Sequence, residues 1–268
     1  MLTLFALPKP FKGHTGIIQR NAITSWTHLK PLPEIILFGD EIGTLEMCNE
    51  LGLQHIPDIK RNKCGTPLVS DLFEKAQQRT RYPMLCYVNA DIILISDFMR
   101  AVLRVSQWDD PFLMVGQRWD VDIKEPWDFT RKDHEKELNL LIEKLGKLRP
   151  RTGIDYFVFP KGLYDFIPPF AIGRKIWDNW LVWYACHQKS ILVDATKVIT
   201  AVHQNHDYSN ITFEFEEEQY NYEMAGGMKK IFTIADAKYR FTVDGLKRNL
   251  CLEHFRRKLE ILYYSLRY

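Results

Sequence analysis

Three loop signatures that announce a function are missing from this chain of 268 residues. There is no GxxxxGK[ST] loop, which excludes a P-loop nucleotide site. There is no GxGxxG turn, which counts against a nicotinamide or flavin dinucleotide. There is no GxSxG elbow, so a serine hydrolase has no support. Cysteines number only 5 and are scattered at Cys48, Cys64, Cys86, Cys186 and Cys251. No two of them form a CxxC pair, which argues against a structural zinc site and against a disulfide framework, and favours a reducing, cytoplasmic compartment. No apolar run is long enough to span a bilayer. The segment Met1-Leu2-Thr3-Leu4-Phe5-Ala6-Leu7-Pro8 lacks the basic and long apolar parts of a signal peptide and is expected to be a first strand. The sequon Asn210-Ile211-Thr212 is therefore read as chance. Formal net charge is only +2, so neither nucleic acid nor a membrane surface is expected as the main partner.

What is present is ordinary globular material, 46% hydrophobic and 26% charged. Short apolar runs alternate with helical spacing through the first half, the pattern of a sheet wrapped by crossover helices. Strands are expected at Leu2–Leu7, Glu34–Phe38, His55–Ile59, Met84–Val88, Phe112–Val115, Phe157–Phe159, Ile191–Val193 and Val198–Val202. Helices are expected at Gln19–Leu29, Gly43–Leu51, from Pro67 to Arg79 with Thr66 or Ser70 as cap, and at Asp97–Val105, Lys132–Leu148 and Trp177–His187. No repeat or low-complexity linker interrupts the chain. One domain over residues 1–206 is expected, with residues 207–268 as an extension packed on it, across the site or as an acceptor or oligomer surface.

Ligands of open α/β sheets bind beyond the carboxyl ends of the strands, so polar residues just after apolar strands draw attention. Four places qualify: Asp40, Asn89 with Asp91, Asp155, and His203 with His206. A carboxylate at Asp91 could hold a hard cation bridging two phosphates, or could simply cap the next segment. Imidazole beside carboxylate suits Mn²⁺ better than Mg²⁺, although a lone histidine in such a place is more often structural. Asp178 stands at the start of a helix, where an acid serves as general base or merely complements the helix dipole. Trp177, Trp180 and Trp183 follow at three-residue spacing; core packing accounts for two of them, and one could stack on a sugar. Arg20, Lys63 and Arg174 are candidate partners for a diphosphate.

In that order, these pieces resemble the glycosyltransferase-A superfamily over roughly residues 2–208. The resemblance rests on Phe38-Gly39-Asp40 closing the second strand, the DxD-like Asn89-Ala90-Asp91, the segment Gly153-Ile154-Asp155-Tyr156-Phe157-Val158-Phe159, an acid-bearing helix and a late histidine. It implies an α/β fold of GT-A (Rossmann-like) type, a mixed and mostly parallel sheet flanked by helices. It implies transfer of a sugar from a nucleotide-diphosphate sugar to an acceptor hydroxyl, of a glycan, a lipid or a small molecule. By the resemblance Asp40 contacts the base, Asn89 and Asp91 the ribose and a Mn²⁺ or Mg²⁺ ion, and His203 or His206 completes the metal shell. Asp178 becomes the base, with Asp155, Trp177 and Trp180 at the substrates. The DxD pattern departs at its first acid, which is Asn89; an uncharged amide there shifts neutralisation of the diphosphate toward Arg20, Lys63 or Arg174. A nucleotidyltransferase is the second reading, opposed because Pro8-Lys9-Pro10-Phe11-Lys12-Gly13 is a poor glycine-rich loop; a non-catalytic sugar- or nucleotide-binding domain is the third.

Overall fold

A computed structural model describes residues 1–206 and 215–249. The sequon and the remainder of the expected extension lie outside them. The chain opens with β1 (Leu2–Ala6), α1 (Gly13–Thr27), β2 (Glu34–Phe38), α2 (Thr44–Leu51), β3 (Gln54–Ile56), α3 (Val69–Arg79) and β4 (Met84–Val88). It continues with β5 (Ile92–Leu94), α4 (Ser96–Val105), β6 (Phe112–Val115), β7 (Arg118–Val121), α5 (His134–Leu145), β8 (Lys147–Leu148) and β9 (Tyr156–Pro160). After these come α6 (Trp177–His187), β10 (Ile191–Asp194), β11 (Ala201–Gln204), α7 (Phe215–Ala225), β12 (Tyr239–Thr242) and β13 (Gly245–Arg248). Among the described residues no helix is long and apolar enough to cross a membrane.

The main sheet has nine strands in the order β13-β12-β10-β6-β9-β4-β1-β2-β3. Its neighbours are parallel except where β9 runs against β4 and β6, and where β13 folds back on β12. A second sheet, β5-β11-β7-β8, stands beside it. Strand β1 shows why the main sheet is covered on both faces. Alternate side chains Leu2, Leu4 and Ala6 pack under Ala22, Ile23 and Trp26 of α1, while Phe5 turns to Phe73 of α3 and the far face. Trp26 is fully buried, and its Nε1 donates to the Ile92 carbonyl at 2.9 Å, tying α1 to β5.

Several boundaries differ from the sequence reading. Helix α1 begins at Gly13, six residues earlier than its apolar stripe, because its first turn is polar and carries no side-chain cap. Neither Thr66 nor Ser70 caps α3; Leu68 holds the cap position, and the Phe170 carbonyl accepts the Val69 N–H instead. The charged helix of 132–148 is shorter, His134–Leu145, and its end turns into β8. The strand expected at Val198–Val202 is β11, displaced to Ala201–Gln204 because residues 195–199 are held in a turn by Ala195 accepting from Val198 and Ile199. Residues 215–249 pack on the main sheet, where β12 lies parallel to β10.

This topology gathers one edge. Strands β1, β2 and β4 are parallel and finish there. Because β9 is antiparallel to β4, its beginning lies at the same edge, with Tyr156 opposite Val88. Asn89 N–H therefore donates to the Asp155 carbonyl at 2.9 Å. Strand β5 leaves directly from Asp91, and its partner β11 sets His203 opposite both Ile92 and Asp120 of β7.

Candidate functional site

At that edge a cleft of about 830 Å³ opens. Its floor is a network of buried ionic groups. Arg118, at the start of β7, is 8% exposed and binds Asp120 through Nε at 2.9 Å and Asp155 through Nη1. Burial works against the Arg118 charge, but Asp155, Asp120 and Asp91 outweigh it and keep the guanidinium firmly protonated. Asn89 belongs to the same network. Its Nδ2 donates to Asp155 Oδ1 at 2.7 Å, and its Oδ1 accepts from the Tyr87 hydroxyl at 2.8 Å. A carboxylate can only accept here, so the amide nitrogen must face Asp155. That explains asparagine at this position: an aspartate would lose the donor and set a further negative charge against Asp155.

Asp91 lies between this floor and two imidazoles. His203 Nε2 stands 3.6 Å and His206 Nε2 3.4 Å from Asp91 Oδ2, while His203 Nδ1 is 3.2 Å from Asp120 Oδ1. Burial pushes the Asp91 carboxyl up, but the hydrogen bonds of His203 and His206 overcome it and hold the group far below the ordinary carboxylate range. Its other oxygen, Oδ1, is buried and accepts no hydrogen bond among the described residues. Ligand atoms of Asp91, His203 and His206, one from each, lie within 4.8 Å of one another. An orphaned, ionised oxygen with two imidazoles at that spacing is a donor set that fits a divalent cation.

The opposite wall is the segment Ile172–Lys175 leading into α6. Ile176, a β-branched residue, is held at φ 88° immediately before the helix, a strained conformation of the kind that persists where surroundings demand it. Asp178 follows in the first turn. Burial pushes its carboxyl up to about 7 with help from the Asp155 charge, against the backbone N–H groups of Asn179 and Asp178 that favour ionisation. Trp177 closes the same wall, 6% exposed and edge-on to Tyr87 at 5.4 Å.

Of the residues singled out from sequence, Asn89, Asp91, Asp155, Arg174, Trp177, Asp178 and His206 line this cleft. His203 sits just beneath it, 2% exposed. The others lie elsewhere. Arg20 pairs with Glu50 on the outer surface at 2.7 Å. Asp40 binds Arg61 at 2.6 Å and reaches the cleft only through that arginine. Lys63 belongs to the Arg61–Pro67 loop but does not line the cleft, whereas Cys64 and Thr66 do. Trp180 is core, stacked on Tyr184 at 4.9 Å. Arg174 turns its guanidinium to Glu217 at 2.5 Å.

Sequence reading passed over Arg118, Asp120, Lys9 and Arg61. The alternation Arg118-Trp119-Asp120-Val121 was the available sign of β7. Lys9 stands between two prolines, its backbone N–H and C=O both held by the buried Gln19 amide at 2.6 and 2.8 Å. Among the described residues its ammonium makes no ion pair, whereas Arg61, Arg118, Arg149, Arg174 and Lys175 each face an acid.

The chain has the glycosyltransferase-A fold, here a mixed sheet whose parallel strands end at a carboxylate–histidine cluster, with a second small sheet beside it. Among solved structures, glucosyl-3-phosphoglycerate synthase from Mycobacterium tuberculosis, in complex with Mn²⁺, UDP and glucosyl-3-phosphoglycerate, superposes with a TM-score of 0.51 at 14% identity, covering 85% of this chain and 81% of that one. S. aureus TarS in complex with UDP-GlcNAc gives 0.54 at 9% identity, over 84% of this chain and 64% of that one. A further mycobacterial protein gives 0.54 at 12% identity, over 85% and 76% of the two chains. No family model matches the sequence, and no curated protein matches it.

Proposed function

We propose that the chain is a glycosyltransferase that moves a sugar from a nucleotide-diphosphate sugar to an acceptor hydroxyl. The observation carrying this reading is the cluster of Asp91, His203 and His206 at the strand ends, with one carboxylate oxygen buried and unsatisfied among the described residues. A divalent cation held by these three side chains, Mn²⁺ in preference to Mg²⁺, would neutralise the charge that develops on the departing diphosphate. The protein's own groups supply the rest. Lys9, on a loop stiffened by Pro8, Pro10 and Gln19, offers its ammonium to the phosphates. Arg118 and Asn89 hold Asp155 and so fix the floor on which the donor lies.

Asp178 takes the acceptor proton. A carboxyl with its pKa at about 7 is matched to neutral pH, basic enough to accept a proton as the hydroxyl oxygen bonds to the sugar carbon. The bond from that carbon to the diphosphate breaks in the same displacement, and the nucleotide leaves with the electron pair. Trp177 presents an apolar wall beside Asp178 for the acceptor. The fold likeness to enzymes crystallised with UDP, UDP-GlcNAc and Mn²⁺ supports the donor class; the acceptor is left open between glycan, lipid and small molecule.

The test is release of nucleotide from a panel of UDP-, GDP-, CMP- and dTDP-sugars with and without Mn²⁺. One donor should be cleaved slowly with water as acceptor, only when metal is present. Absence of release from every donor, with Mn²⁺ and with mixed sugar and lipid acceptors added, contradicts the reading.

A further inference from the structure

Helix α7 reaches both walls of the cleft through one buried side chain. Glu217 is 3% exposed. Its Oε1 accepts from Asn62 Nδ2 at 2.6 Å, and its Oε2 accepts from Arg174 Nε at 2.8 Å and Nη2 at 2.5 Å. On one side Asn62 Oδ1 takes the backbone N–H groups of Cys64 and Thr66, both at 2.9 Å, and so shapes the loop that borders the cleft below β3. On the other side Arg174 belongs to the segment that ends in strained Ile176 and Asp178. Asn221, one turn along α7 and fully buried, adds bonds to Ala171 N–H at 2.9 Å, Ala171 C=O at 3.0 Å and Lys175 C=O at 3.1 Å.

We infer that Glu217 is a positioning residue that clasps the Asn62–Thr66 loop to the Arg174–Asp178 wall, and that Arg174 serves as the strut of this clasp and not as a phosphate ligand. Burial pushes the Glu217 carboxyl up, yet the hydrogen bonds from Asn62, Thr66 and Arg174 outweigh it, so the clasp is held by a full charge. The Nε and Nη2 edge of the guanidinium is committed to a buried carboxylate 43 residues away, so its charge is already neutralised, in contrast to the Lys9 ammonium. The clasp also accounts for the strain at Ile176: α7 anchors the residues on its amino side while α6 packs in the core on the other. Small displacements of a base are costly in rate, so a clasp at Arg174, four residues before Asp178, acts on turnover.

The inference rests on the transferase reading for its kinetic readout but not for its structural one. Glu217→Gln, Arg174→Met and the double variant are compared with wild type. Hydrogen exchange of 62–66 and 171–176 should rise about tenfold in both single variants, in both segments together, and no further in the double variant. With the donor that the wild type cleaves, kcat should fall about tenfold in each, KM should change less than threefold, and the losses should not add. Since Glu217→Ala could unfold the chain by stranding Arg174, Glu217→Gln is the informative change, with the melting temperature measured alongside. Additive losses, a KM rise confined to Arg174→Met, or unchanged exchange in 62–66 with Glu217→Gln would each overturn the clasp. If the wild type cleaves no donor, the transferase reading falls and the exchange experiment still decides the clasp.

Discussion

Asp91 and Asp178 look into the same cleft from two differently built regions, and their surroundings drive them in opposite directions. Asp91 belongs to a floor where side chains from both sheets meet, and each acid there faces an arginine, an amide or an imidazole. Asp178 belongs to a wall made by a loop and a helix start, where burial is met only by backbone N–H groups. The first carboxyl is held ionised and the second loses its proton only near neutral pH, as the proposed roles of cation ligand and base require. Two acids whose environments separate their proton affinities are the usual physical basis for two different roles in one site.

The comparison breaks most visibly at Asp91. Asp91→Ala should lower turnover by about a thousandfold and remove any Mn²⁺ stimulation, measured as nucleotide release across a Mn²⁺ titration. Asp178→Asn should lower kcat about a hundredfold or more while donor affinity stays within twofold. It should do something opposite to stability. A carboxyl whose pKa is raised on folding binds its proton more tightly in the folded state, so stability falls as pH rises from about 4 to about 7. Asp178→Asn removes that penalty, and its melting temperature should exceed wild type at pH 8 and converge with it near pH 4. Equal melting curves at both pH values would deny the raised proton affinity.

Asn89→Asp sharpens the floor. It restores a DxD triplet, yet it deletes the donor to Asp155 and adds charge beside it, so it should destabilise the fold by about 1–3 kcal/mol in urea unfolding. The smallest effect is expected at Lys9. Lys9→Met should weaken binding of the cognate nucleoside diphosphate about tenfold and leave the nucleoside unaffected, a contrast that calorimetry at fixed Mn²⁺ would show.

Much of the main sheet was legible because its strands are short apolar runs bounded by turns: Glu34–Phe38, Met84–Val88 and Phe112–Val115 stand where the pattern put them, as does the helix Trp177–His187. Of the second sheet only β11 was anticipated, and that displaced along the chain. The strands of this sheet are two to four residues long, and β7 carries Arg118 and Asp120 where an apolar alternation would be expected, so polar groups erased the apolar signal. The positions of Asn89, Asp91, His203 and Asp178 could be read from what precedes them in the chain. Their partners could not, because Arg118, Asp155 and Asp91 are brought together only by an antiparallel strand in one sheet and by strand pairing in the other. Charged residues such as Arg20 and Arg174 looked free in sequence; acids 30 and 43 residues away claim them in the fold.

The account turns on a cation-assisted hold on a diphosphate at Asp91. Thermal melting of wild type and Asp91→Ala with each nucleotide-diphosphate sugar, with and without Mn²⁺, tests it directly, since a ligand of the folded state raises the melting temperature by mass action. One donor should stabilise the wild type only when Mn²⁺ is present and should leave Asp91→Ala unmoved. Equal stabilisation of both proteins, or of neither by any donor, would contradict it.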